Sequence, residues 1–107
     1  MNCELAKGWA VLEKWVEYET YWMTPKGKRT KTIPDYTDHA ILFSNVVPKM
    51  ENLGMTKFEF FKRRKTLDLT LKRCLIYMGD DEFEGEGNRY SEAFLDAAIK
   101  ARNALSL

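Results

Sequence analysis

The sequence predicts a mostly α-helical chain, a small bundle of about four helices. Three observations lead there. Apolar residues recur at helical spacing near the N-terminus, a capping-box pattern opens the second half, and the last stretch is alanine-rich along one side. With 107 residues, 45% of them apolar, the chain has the size of a single compact domain, residues 1–107, with enough apolar content to bury a core.

Taken in order, Asn2 is placed to cap a first helix. Leu5, Trp9, Leu12 and Val16 fall on one helical stripe, and Val11, Trp15, Tyr18 and Trp22 form a second about 100° away. A helix with two apolar stripes is either well buried or carries an unpaired adhesive face. Val16, Tyr18 and Thr20 also alternate with Glu17, Glu19 and Tyr21 in strand fashion, and Pro25-Lys26-Gly27-Lys28 is a turn signal. The segment from Val16 to Ile33 therefore reads either as helix followed by loop or as a β-hairpin. Ile33 precedes Pro34, which biases it to an extended shape.

Thr37 is placed to cap a short helix through Ala40, Ile41, Leu42 and Phe43, which Pro48 must break or kink. Gly54 then suits a helix C-cap. Thr56-Lys57-Phe58-Glu59 has the form of a capping box, with Gly79 as the stop. Between them Phe60, Arg64, Leu67, Leu71, Cys74, Leu75 and Met78 share a helical face, although Thr66 to Leu71 alternates like a strand. Asp80 to Gly87, acidic and glycine-rich, reads as a loop. Ser91 then caps a last helix with Phe94, Ala97, Ala98, Ala101 and Ala104 on one side. Its early Glu92 and Asp96 and late Lys100 and Arg102 suit the helix dipole.

The motifs that would announce an enzyme are missing. His39 has Asp35 and Asp38 near it in sequence, yet no serine or cysteine stands in a nucleophile motif. Cys3, His39 and Cys74 lack the short spacings of structural zinc. Gly27-Lys28-Arg29-Thr30 has the end of a phosphate-binding loop, but Trp22 stands where the motif needs its first glycine. Asp80, Glu82, Glu84, Glu86 and Asn88 fit a calcium-loop register until its twelfth position, which is Ser91 where the bidentate glutamate belongs. The reading is no enzyme, no cofactor and no metal.

A formal net charge of +1 gives no general attraction to nucleic acid or membrane, so grouping decides. Lys26, Lys28, Arg29 and Lys31 form one basic segment. Lys57, Lys62, Arg63, Arg64, Lys65, Lys72 and Arg73 form another, and the two hold 11 of the 17 basic residues. Such a face can grip phosphates, with Trp22, Tyr21 or Phe61 near enough to stack on bases. The alternative is a solvated helix face in which Asp68 pairs Lys65 and Lys72.

No segment reads as a signal peptide or reaches the roughly 18 apolar residues of a bilayer span. Two cysteines are too few for a disulfide framework, so a reduced cytoplasmic protein is expected. From Glu17 to Gly54, a candidate hairpin with Pro25-Lys26-Gly27-Lys28 leads through Ile33-Pro34-Asp35-Tyr36 to a helix closing at Leu53-Gly54. This resembles a stretch of some phage terminase small subunits, and the resemblance implies DNA binding during packaging. It covers about a third of the chain. Pro48 departs from the family's helix, and no helix-turn-helix precedes the stretch.

The leading expectation is a non-enzymatic binding protein, a phage or mobile-element accessory or inhibitor factor docking on a protein partner. Its aromatic interface would be Trp15, Tyr18 and Trp22, with self-association into a homodimer as a corollary. Nucleic-acid binding through residues 26–31 and 57–73 is the alternative, and an enzyme with an unrecognised site comes third.

Overall fold

The computed structural model describes residues 3–62 and 71–107. The expected Asn2 cap, Arg63, Arg64, Lys65, Leu67 and Asp68 lie outside the described residues. In chain order the fold runs α1 (Cys3–Leu12), β1 (Val16–Glu17), β2 (Trp22–Met23) and β3 (Arg29–Thr30), then α2 (His39–Ile41). A π-helical turn (Leu42–Val46) and α3 (Val47–Asn52) follow, then β4 (Met55–Lys62), β5 (Lys72–Met78), β6 (Asp81–Gly87) and α4 (Tyr90–Leu105). Two antiparallel three-stranded sheets, ordered β1-β2-β3 and β4-β5-β6, make this an α+β fold. The four-helix bundle is overturned, and the chain is not purely α-helical.

The first helix is shorter than its two stripes suggested. Lys14 takes a positive φ of 72°, and the amides of Lys14 and Trp15 donate to the carbonyls of Val11 and Ala10. That paired bonding is a Schellman stop. Beyond it the strand alternation prevails, and Val16 and Glu17 pair with Met23 and Trp22. The hairpin alternative for residues 16–33 is the one the fold adopts.

Asp38, not Thr37, caps α2, its carboxylate accepting from the Ile41 amide, while the Thr37 hydroxyl donates to Asp35. Pro48 has no amide hydrogen to give an i−4 carbonyl. The chain accommodates it by widening the preceding turn, so that the Val47 amide reaches back five residues to Leu42.

The largest correction falls on residues 56–87. The expected long helix is the strand pair β4–β5, and the expected acidic loop is β6. The helical spacing of Phe60, Cys74 and Met78 coexists with period two. Phe58, Phe60, Cys74, Ile76, Met78 and Phe83 share one face by register, while Lys57, Glu59, Arg73, Leu75, Tyr77 and Glu84 share the other. Gly79 is no helix stop. With φ of 64° it forms, with Asp80, the two-residue connection of the β5–β6 hairpin, a role glycine fills because its φ is free of Cβ hindrance.

One face of the large sheet is covered by α4, which buries Ala93, Phe94, Ala97, Ala98 and Ala101 against it. Phe94 meets Phe58 edge-on at 4.9 Å between ring centroids. The small alanines therefore let α4 sit close on the sheet, while α4 also packs against α1. Ser91 does not cap α4: the N-cap is Arg89, and the Ser91 hydroxyl is buried without a hydrogen-bond partner. Among the described residues no helix is long and apolar enough to cross a membrane.

Cys74 carries a free thiol, fully buried under α4, and burial pushes its pKa from 9.0 up to about 12. A raised acid favours the folded state only while both states hold the proton. Above pH 9 the unfolded thiol ionises and the folded one does not, so stability falls as pH rises toward 12. The expected slope from this group is at most about 1.4 kcal/mol per pH unit. Urea denaturation at pH 9 and 10 checks it, because Cys74→Ala should flatten the decline.

Candidate binding cleft

An open cleft of about 450 Å³ lies where the N-terminal helix and small sheet meet the interrupted helix of residues 39–52. Trp9, Trp15, Tyr36, Pro25 and Pro48 supply its apolar and aromatic walls. Glu13, Lys49, Ser44, Asn45 and Asn52 supply its polar groups. Each arrives for a local reason. The Schellman stop swings Trp15 off the axis of α1 while Trp9 and Glu13 stay near its last turn. The π-turn resets the phase of the helix, so that Ser44, Asn45, Pro48 and Asn52 face one opening.

Glu13 and Lys49 of the cleft join a polar cluster with the buried Arg102. Glu13 Oε2 lies 3.3 Å from Arg102 Nη1 and 3.8 Å from Lys49 Nζ. Arg102, only 5% exposed, stacks its guanidinium 4.8 Å from the centre of the Trp9 ring. It donates to the carbonyls of Leu12 and Leu107. Burial first, and the negative charge of Glu13 second, raise the Tyr36 pKa above 10.0, against the opposing pull of the nearby Trp15 indole. Tyr36 thus keeps its proton as a donor, and the Glu13 carboxylate is held between two cations.

The residues singled out from sequence are dispersed. Trp15 lines the cleft. Tyr18, 47% exposed, stacks on Tyr21 at 4.8 Å, and Arg29 covers the Tyr21 ring at the same distance. Trp22 is buried in the core. Lys26, Lys28, Arg29 and Lys31 are all exposed in and around the β2–β3 turn. Lys72 sits 5.7 Å over the Tyr90 ring, and the backbone of Lys62 ends β4. Arg73 is buried on the outer sheet face with Glu84 at 2.7 Å and Glu86 at 3.1 Å. The fold thus brings the basic segment 26–31 beside an aromatic pair and engages Arg73 with the acidic strand.

Sequence reasoning passed over Trp9, Glu13, Tyr36 and Lys49 as a group. Only Trp9 carried a signal, a core stripe, and the cleft is assembled across distant elements. Comparison with protein-family models, with curated proteins and with solved structures finds no match.

Proposed function

We propose that the chain is a non-enzymatic binding module that docks a protein partner at the Trp9–Trp15–Tyr36 cleft. The observation that carries this reading is the cleft's composition: aromatic and proline walls around ionisable groups already paired with one another. Aromatic side chains beside neutral hydrogen-bonding groups suit recognition, because they bury large area while losing few rotamers. Tyr36, held protonated, is poorly suited to abstract a proton at neutral pH, and the Glu13 carboxylate is already engaged by Lys49 and Arg102.

A second reading rests on the exposed hairpin. Lys26, Lys28, Arg29 and Lys31 beside stacked Tyr18 and Tyr21 combine charge with a stacking platform, as single-strand binders do.

Tagged wild-type protein, cross-linked in its native cell, separates the two. Partner docking at the cleft predicts capture of a defined protein that Trp15→Ala abolishes and the Lys28→Ala, Arg29→Ala double variant leaves intact. Nucleic-acid binding predicts the reverse. It also predicts an affinity for single strands that falls with salt at a log–log slope of about −0.7 per phosphate contacted.

A further inference from the structure

The two edges of the large sheet are treated differently. Along β6 side chains of α4 take two of the outward backbone groups: the Glu86 amide donates to Asp96 Oδ2 at 3.0 Å, and the Glu84 carbonyl accepts from Lys100 Nζ at 3.3 Å. An uncovered edge offers unpaired amides and carbonyls to another strand, and side chains that cap it remove that offer.

Among the described residues the opposite edge, β4, has no such cover. In an antiparallel ladder, residues alternately turn their backbone groups to one neighbour and away from it. Since Glu84 and Glu86 face outward, Asp81, Phe83, Gly85 and Gly87 bond to β5. Alternation then turns Arg73, Leu75 and Tyr77 toward β4, where their partners are Phe61, Glu59 and Lys57. The backbone groups of Phe58 and Phe60 are left pointing out. Among the described residues no strand or side chain takes them. Phe60 and Phe61, each 37% exposed, flank the same edge on opposite faces.

We infer that β4 pairs with the β4 strand of a second copy of this chain, antiparallel about a two-fold axis at Phe58, making one six-stranded sheet. Charge fixes both the occupant and the register. With Phe58 opposite Phe58, each Lys57 stands directly opposite the other copy's Glu59. Centring on Glu59 sets two carboxylates face to face, and centring on Phe60 sets Glu59 against Phe61. Only the Phe58 register joins outward-facing backbone groups and pairs opposite charges at the same time. Within one copy Lys57 Nζ already lies 3.3 Å from Glu59 Oε1, so the pairing builds an alternating cluster of four charges. Directly opposed charges on neighbouring strands stabilise when opposite and destabilise when alike. An isologous contact doubles that difference.

Sedimentation equilibrium of the full chain tests the inference. Wild type should show a reversible monomer–dimer equilibrium. Lys57→Glu and Glu59→Lys should each weaken it by about tenfold or more, since each sets like charges opposite one another twice. An equimolar mixture of those two variants should dimerise at least as well as wild type, because every opposed pair in the mixed dimer is again opposite in sign. Circular dichroism shows whether each single variant stays folded. The Lys57→Glu, Glu59→Lys double variant, which keeps both the internal pair and the opposed pairs, should also recover the dimer. Wild type that remains monomeric at the highest concentration reached would overturn the inference. So would folded single variants that dimerise like wild type, or a mixture no stronger than either variant alone.

Discussion

Gly85→Ala is expected to destabilise the chain by about 3 kcal/mol or more, at or above the upper end for overpacking a core. A Cβ at this position would lie 2.2 Å from the Ala97 amide nitrogen and 2.3 Å from the Ala93 carbonyl oxygen. Both are backbone atoms within α4, and neither can retreat unless the helix lifts. Lifting it would unseat Phe94, Ala98 and Ala101, all fully buried, from the sheet. Gly54→Ala makes a sharp contrast. Nothing lies within 4 Å of the added carbon, and the penalty comes only from φ of 113°. Conformational strain of that kind costs about 1–3 kcal/mol. Urea denaturation should therefore show the lower midpoint for Gly85→Ala, with m unchanged in both. A Gly85→Ala midpoint close to wild type would mean that α4 is not seated on β6.

That contact also shows why the fold was only half legible. The stripe of Phe94, Ala97, Ala98, Ala101 and Ala104 was legible, and the sequence contains the matching glycines, Gly85 and Gly87. They sit in a run so acidic that it reads as solvated loop. What makes it a strand is tertiary: β5 on one side, α4 above, and Arg73 reaching across to neutralise Glu84 and Glu86. Phe60, Cys74 and Met78 satisfy both periods, and the tie is broken by which partner surface exists. Conversely, signals that act within a few residues were readable. Gly27 and Gly54 both take positive φ, Pro48 distorts its helix, and the alternation from Val16 became strand. Of the cleft, Trp15 was legible as a candidate interface aromatic on a second apolar stripe. Glu13, Tyr36 and Lys49 were not, since ordinary charged and aromatic residues acquire a role only when α1, the extended segment before α2 and α3 converge.

Arg102 is where that convergence is secured, and its removal should be the other severe lesion. From sequence it is a cation near a helix C-terminus, a contribution of a few tenths of a kcal/mol at an exposed site. In the fold it is buried and ties four things together: the Trp9 ring, the Glu13 carboxylate, the last carbonyl of α1 at Leu12, and the Leu107 carbonyl. Removing one partner of a buried ion pair costs about 3–5 kcal/mol when the other is left uncompensated. Glu13 is partly exposed and keeps Lys49 at 3.8 Å, so the lower end applies, and Arg102→Ala should destabilise by about 3 kcal/mol. Arg102→Met should cost less, because its unbranched chain still covers Trp9 while surrendering only the charge and donors. Arg102→Lys should fall short of wild type as well, since one ammonium cannot serve carbonyls on two sides and lie flat on an indole. A double-mutant cycle with Glu13→Gln separates charge from packing. The Arg102→Ala, Glu13→Gln variant should lose less than the sum of its singles, by about 0.5–3 kcal/mol, because in-contact pairs couple. Additive losses would mean that Arg102 holds the fold through Trp9 and the two carbonyls, with Glu13 a bystander.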